Sequence, residues 1–311
     1  KIKMMNLSTI INISFFQAAL RMATPIAFAS LGGMYNERAG IVNIGLEGIM
    51  LNSAFFAVYA NYLTGSSFMG IIAGLASGFI LGVILAVLTV KYHGNQIVVG
   101  TGLNVFGLSF SAYMCQKIWG SRGASETIIG LEEKSISFLG KIPWIGPVID
   151  NQNILVYLMI IIFILSHFLL YKTHWGLRLR AVGENPQAAD TSGVNVYQYK
   201  YFYIILGCMI TGLGGVFLSI GHLNFFAWGM TSGRGFIALA AMILGKWTPF
   251  GCLAASFLFG MTDALQMRIQ ALGILPSQII LLLPYVITIL VLAGFVGRAK
   301  APSNYQPYIK Q

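Results

Sequence analysis

Between two apolar runs, residues 154–171 and 201–221, lies the stretch Arg180-Ala181-Val182-Gly183-Glu184-Asn185-Pro186-Gln187-Ala188-Ala189-Asp190-Thr191-Ser192-Gly193-Val194. The first flank is almost continuous Ile, Leu and Phe. A hydrocarbon core about 30 Å thick takes roughly 20 apolar residues per helix, so both flanks read as membrane spans and the island as the loop between them. The island has local order. Asn185 suits a helix N-cap, and Pro186 suits the first helical position, where its missing N–H costs nothing. Gln187 to Thr191 continue the helix, and Gly193 suits the left-handed residue that ends it. Glu184 lies beside the positive helix N-terminus; Arg178 and Arg180 precede it, and Gly183 reads as a bend. Two turns are too short to be stable alone, so this helix needs a surface to dock on.

Composition extends the membrane reading to the whole chain. Of 311 residues, 57% are hydrophobic and only 9% are charged, against about 25% charged in soluble domains. That length permits about 8 to 10 spans and leaves no room for a separate soluble domain. The net charge of +10, from 19 basic and 9 acidic residues, is scattered along the chain. Cations collect in cytoplasmic loops, and no basic run tracks a phosphate backbone, so nucleic acid is not an expected partner. Cys115, Cys208 and Cys252 have no ligand spacing and read as packing residues. No small-residue cleavage site follows a compact apolar region before Arg21, so a removable signal peptide is not expected.

Taken in order, spans are predicted over 8–31, 44–63, 68–90, 96–114, 154–171, 201–221, 250–267 and 274–295. The Asn36–Gly40 cluster is expected to interrupt the first. The third carries Gly70, Gly74, Gly78 and Gly82 on one helix face, where backbones can approach closely. Residues 117–151 form the longest polar region, broken by Pro143 and Pro147. Residues 236–244 are too short to cross alone and, with the loop before them, predict a broken or re-entrant element. Gly245-Lys246-Trp247-Thr248-Pro249 is a turn. Lys172, Arg178, Arg180 and Lys200 place the 172–200 loop in the cytoplasm, with the C-terminal tail on the same side. About nine crossings would put the N-terminus outside, against which Lys1 and Lys3 weigh, so that end stays open.

Three motifs carry a resemblance. Arg180 to Asp190 resembles the coupling-helix segment of ABC importer permeases in the group that takes up ribose, branched-chain amino acids and nucleosides. Glu37-Arg38-Ala39-Gly40-Ile41-Val42-Asn43-Ile44-Gly45-Leu46-Glu47-Gly48 looks like the signature of that group's nucleoside branch, and Gly233 to Ala240 with Leu244 to Pro249 is similar to the same proteins. The likeness spans nearly the whole chain. It implies an all-α type II importer-like permease, one transmembrane domain over 1–311, with a coupling helix in the 172–200 loop. The coupling residues carried over are Arg180, Gly183, Glu184, Asn185, Pro186, Ala188, Ala189 and Gly193. It also implies a cytoplasmic ATP-binding subunit, a second permease that nucleoside members suggest is non-identical, an external substrate-binding protein and residence in a bacterial cytoplasmic membrane. No cofactor or metal is expected.

The chain has no Gly-x-x-x-x-Gly-Lys-[Ser/Thr] phosphate loop; Gly245-Lys246 lacks both the earlier Gly and the following hydroxyl. The chain is therefore expected to have no ATPase site of its own. Ionisable groups at membrane depth are functional candidates by default: Arg21, Glu47, Asp263 and Arg268. Glu47 has two readings, a path or gate residue, or one half of an ion pair with Arg21 or Arg38. Asp263 and Arg268 read as a structural pair or interfacial anchors. Asn43, Asn52, Thr101 and Asn104 join Glu47 as substrate-path candidates, with helix–helix contacts as the competing reading. Phe225, Phe226 and Trp228 read as an aromatic belt or a surface for a base. Cargo alternatives are a simple sugar or a branched-chain amino acid. An ion-coupled secondary transporter leaves the capped cytoplasmic helix without a task. A membrane enzyme fails on chemistry, since His93, His167, His174 and His222 are isolated.

Overall fold

The computed structural model describes residues 12–134 and 146–271, with single positions 282, 286, 301 and 308. Apart from two of those positions the last predicted span, 274–295, lies outside the described residues, as does Pro143. The described chain is helical: α1 (Ile13–Arg38), α2 (Leu46–Thr64), α3 (Ser67–Ala86, extended by a π-helical turn Val87–Lys91), α4 (Gln96–Trp119), a short α5 (Gly146–Ile149), α6 (Ile154–Lys172), α7 (His174–Glu184), α8 (Pro186–Thr191), α9 (Val196–Val216, extended by a π-helical segment Phe217–Leu223), α10 (Arg234–Leu244) and α11 (Pro249–Ala271). Two-residue strands β1 (Glu133–Lys134) and β2 (Gln152–Asn153) pair antiparallel.

Five described segments are long and apolar enough to cross a membrane: Ser67–Lys91, Gln96–Trp119, Ile154–Lys172, Val196–Leu223 and Pro249–Gln270. Helices α1 and α2 are long but less apolar, and packing explains the difference. α1 packs against α9, α10 and α11, and α2 against α3, α4 and α9. Ile26, Ala27, Phe28 and Leu31 of α1 are wholly buried. A helix wrapped by protein does not need a lipid-compatible surface. The predicted break at Asn36–Gly40 is corrected accordingly: α1 runs on to Arg38, with Asn36 and Glu37 buried. Helix is the conformation that satisfies the backbone within the segment, and these two side chains have partners of their own.

The glycine face of α3 behaves as predicted. A Cβ on Gly74 would meet the Ser53 carbonyl of α2 at 3.2 Å, and one on Gly78 the Cys208 carbonyl of α9 at 2.8 Å. Two helices thus approach α3 at backbone distance, the contact that drives association where lipid removes the hydrophobic term. α4 is continuous through Gly100, Gly102 and Asn104.

The sidedness is legible from end-to-end contacts. Ser14, near the start of α1, accepts from Arg268 near the end of α11 at 2.7 Å. At the other end, Gly183 of α7 lies against the Arg38 carbonyl, and Tyr308 accepts at its carbonyl from the Tyr197 hydroxyl at 3.4 Å. The start of α1 is therefore opposite the α7–α8 segment, and tail residue Tyr308 is beside it. On the α1-start side, residues 123–131 are laced to 220–228: Ser125 N donates to Phe226 O (2.9 Å), Ile128 N to Asn224 O (2.8 Å) and Leu131 N to Ile220 O (3.0 Å). Arg21 bridges to Glu133 of this region at 2.5 Å.

Candidate functional site

Two groups of predicted residues sit at opposite ends of one half-helix. The first is the loop predicted over 172–200, which is mostly helical; α9 already begins at Val196 and buries Lys200. The Asn185 side chain accepts from Ala188 N at 3.0 Å, Pro186 occupies the first turn of α8, and Gly193 takes φ +81°. Start and stop signals act as read. Pro186 and Ala189 are buried, whereas Glu184, Asn185, Gln187, Ala188, Thr191 and Ser192 are exposed. α8 thus presents a polar, small-residue face outward, on the side away from its packing.

Gly183 does not bend the chain. It lies inside α7, a helix the sequence did not announce, where a Cβ would collide with the Arg38 carbonyl. Close approach requires glycine here. Arg180 stacks its guanidinium on Tyr171, 5.3 Å from the ring centroid, and its Nε donates to Gly176 O at 3.4 Å. Asp190 is hydrogen bonded to the Tyr308 hydroxyl, whose pKa is pushed up to about 12, first by that bond and then by burial.

The second group surrounds Glu47 in the first turn of α2. Both expected ion pairs are corrected: Arg21 pairs with Glu133, and Arg38 donates to the Trp247 carbonyl through Nε (3.1 Å) and a terminal nitrogen (2.8 Å). Glu47 instead caps α10. Its Oε1 accepts from Gly233 N at 2.7 Å and its Oε2 from Gly235 N at 2.6 Å. Gly233 is the α10 N-cap at φ +82°, and Gly235 has the Glu47 backbone against its Cα. A carboxylate at a helix N-terminus satisfies free N–H groups and complements the dipole. The re-entrant element predicted over 236–244 is thus a half-helix anchored at its start by α2.

The other path candidates divide. Asn104 holds α4 to the start of α2, accepting from Gly48 N (2.8 Å) and donating to Ile44 O (2.9 Å). Asn43, wholly buried, accepts from Gly45 N at 2.9 Å. Asn52 donates to Gly48 O at 3.1 Å while its buried carbonyl oxygen has no partner among the described residues. These three and Glu47 cluster at the start of α2. Thr101 is exposed on α4 and bonds its own helix at Ile97 O (2.7 Å). Phe226 is buried edge-on against Phe55, with centroids 5.4 Å apart, and Trp228 is exposed. Arg268 meets Ser14 and the Phe15 ring, as an interfacial anchor would.

At the far end of α10, Trp247 was legible only as part of a turn. Its Nε1 donates to Glu37 Oε2 at 2.6 Å, and both residues are buried. Sequence reading missed this contact, since 210 positions separate the partners; the quoted motifs 37–48 and 244–249 were the available signal.

A bundle of apolar helices, a capped helix in the loop between two spans and a half-helix held at both ends define a membrane transport subunit. The chain belongs to the branched-chain amino acid transport system / permease component family, whose family model matches residues 15–292. It is 37% identical over 308 residues to the guanosine ABC transporter permease protein NupQ of Bacillus subtilis (94% of this chain, 95% of the relative). It is 39% identical over 294 residues to the nucleoside ABC transporter permease protein NupC of Lactococcus lactis subsp. cremoris (90% and 91%). A second guanosine permease protein of the Bacillus, NupP, matches at 24% (92% and 83%). A solved structure described as an inward-facing conformation of a metal-chelate type ABC transporter shares the fold, with TM-score 0.51 at 15% identity over 94% of this chain and 92% of that one. The chain is an ABC transporter permease, a multi-pass integral protein of the cytoplasmic membrane, in a family whose permease subunits lack an ATPase site.

Proposed function

We propose that this permease carries nucleosides inward, driven by ATP hydrolysed on a separate subunit that docks on α8. The observation that carries the cargo is the match, over nine-tenths of the chain, to permeases named for guanosine and nucleosides. The docking assignment of Arg180, Gly183, Glu184, Asn185, Pro186, Ala188, Ala189 and Gly193 is supported by how α8 is built. Its cap and buried Pro186 and Ala189 fix it to the membrane domain, and Gln187, Ala188 and Thr191 are exposed on its outward face. A six-residue helix is marginal alone, and a groove in a partner stabilises it.

The second permease is a different chain, as suggested by the match to two distinct Bacillus guanosine permease proteins at 37% and 24%. An external binding protein delivers the cargo. Asn43, Glu47, Asn52, Thr101 and Asn104 remain the path candidates; Asn52, with its unpartnered buried oxygen, and the exposed Thr101 suit cargo contact better than the fully bonded Asn43 and Asn104. The test is purification of the intact complex and uptake in proteoliposomes with its receptor. Nucleoside uptake that needs ATP and is blocked by vanadate is expected. A receptor binding ribose but no nucleoside overturns the cargo; uptake that survives vanadate but collapses with a protonophore overturns the ATP-driven reading.

A further inference from the structure

The turn between α10 and α11 holds an unusual backbone. Lys246 and Trp247 lie consecutively at φ +53° and +51°. Neither is glycine, and each pays a steric cost in the left-handed region. Such strain persists only where the surroundings over-determine it, and it concentrates at switching segments. Here the surroundings are the last two residues of α1. Glu37 takes the indole N–H at 2.6 Å, and Arg38 grips the Trp247 carbonyl at 2.8 and 3.1 Å. Trp247 N in turn donates to Met242 O of α10 at 3.2 Å, and Thr248, one residue on, caps α11 through Gly251 N at 3.2 Å.

The same end of α1 receives the coupling segment. Gly183 packs directly on the Arg38 carbonyl, with no side chain between the two backbones. A displacement of α7 and α8 therefore pushes on Arg38, and Arg38 and Glu37 act on the strained turn. The turn carries α10, whose other end is seated on Glu47. All these contacts are polar or backbone-to-backbone, with little compliance.

We propose that Glu37 and Trp247 are positioning residues of a strained hinge that links the coupling helix to half-helix α10. Releasing the indole from Glu37 lets the turn relax, so that motion of α8 no longer moves α10. Neither residue touches cargo or nucleotide. This inference rests on the ATP-coupled permease reading above.

The test uses the intact complex in proteoliposomes with Glu37→Gln, Trp247→Phe and the double variant. Two quantities are measured together, cargo moved per ATP hydrolysed and the midpoint of thermal unfolding. Trp247→Phe keeps an aromatic ring but loses the N–H and part of the indole's buried volume; coupled elements of this kind shift coupling on the order of 2- to 30-fold. Cargo per ATP should fall within that range while hydrolysis continues, and the double variant should lose less than the sum of the two single losses, because both changes weaken the same bond. Glu37→Gln, which keeps an acceptor oxygen, should recover part of the ratio. A fold defect alone lowers transport and hydrolysis together, leaving the ratio unmoved, and that result overturns the proposal. So does additive loss in the double variant, or a wild-type ratio in both single variants. If a variant fails to assemble, spin labels at exposed Ile243 of α10 and Val105 of α4 in the otherwise wild-type complex decide the matter: nucleotide must change their separation, and no change refutes the linkage. Wild-type complex that moves no nucleoside would instead sink the cargo reading.

Discussion

Replacement of Glu47 separates two roles that are easily confused, holding α10 and contacting cargo. The carboxylate takes two N–H bonds, 2.7 Å from Gly233 and 2.6 Å from Gly235. A hydrogen bond to a charged group contributes about 1.5–3 kcal/mol, and a favourable helix-dipole interaction about 0.3–2 kcal/mol more. Glu47→Gln keeps one acceptor but turns an NH₂ toward the second N–H, so one bond and the charge are lost. The expected destabilisation is about 2–4 kcal/mol. Glu47→Asp is shorter by one C–C bond, about 1.5 Å, and can hold one N–H but not both, with a similar loss. Glu47→Ala strands two donors, about 1–3 kcal/mol each. Unfolding midpoints of the purified complex in detergent should therefore fall in the order wild type, then Gln and Asp together, then Ala. ATP-driven uptake should fall in the same order. Equal midpoints for Ala and wild type would refute the capping account. If Ala unfolds like wild type yet transports nothing, Glu47 touches cargo instead.

Gly183→Leu should leave the permease unable to stimulate its ATPase partner, because any Cβ collides with the Arg38 carbonyl; ATPase assays with and without cargo-loaded receptor check this. Asn104→Ala removes both side-chain bonds between α4 and the start of α2 and should cost about 2–4 kcal/mol, whereas Thr101→Ala, on an exposed site bonded only to its own helix, should leave the unfolding midpoint unchanged and lower uptake only if it lines the path. Tyr308→Phe should free the tail from α8 by removing the bond to Asp190, seen as faster protease trimming of the C-terminus. Because the folded Tyr308 pKa is raised above its ordinary 10 to about 12, its contribution is fully present below pH 10 and is lost as pH climbs through 12. Tail protection in the wild type should therefore be flat between pH 6 and 9.

Much of this architecture is legible along the chain because it depends on near neighbours. Runs of Ile, Leu and Phe demand helices in lipid whatever they pack against. The Asn185–Pro186 start and Gly193 stop work through bonds spanning a few residues, and the glycine spacing of α3 fixes a face without naming its partner. α7 escaped because Gly183 weakens a helix locally, and what holds it there is the Arg38 backbone. Glu47 and Glu37 escaped for a related reason. A lone carboxylate at membrane depth announces that it must be satisfied, but its partner is not readable nearby. The sequence offered arginines as partners; the fold supplied backbone N–H groups 186 and 188 residues away and an indole 210 away.

Read alone, the sequence therefore dictates a polytopic helical membrane protein with a short capped helix in the loop between two spans, since burial in lipid and helix capping are local rules. Only the tertiary structure decided which end of α1 meets that helix, that Glu47 seats a half-helix, and that a strained turn lies between the two. Those outcomes depend on which backbones come within hydrogen-bond reach. In this chain such contacts are set by close packing of glycine faces and by buried polar groups that must find a partner somewhere in the fold.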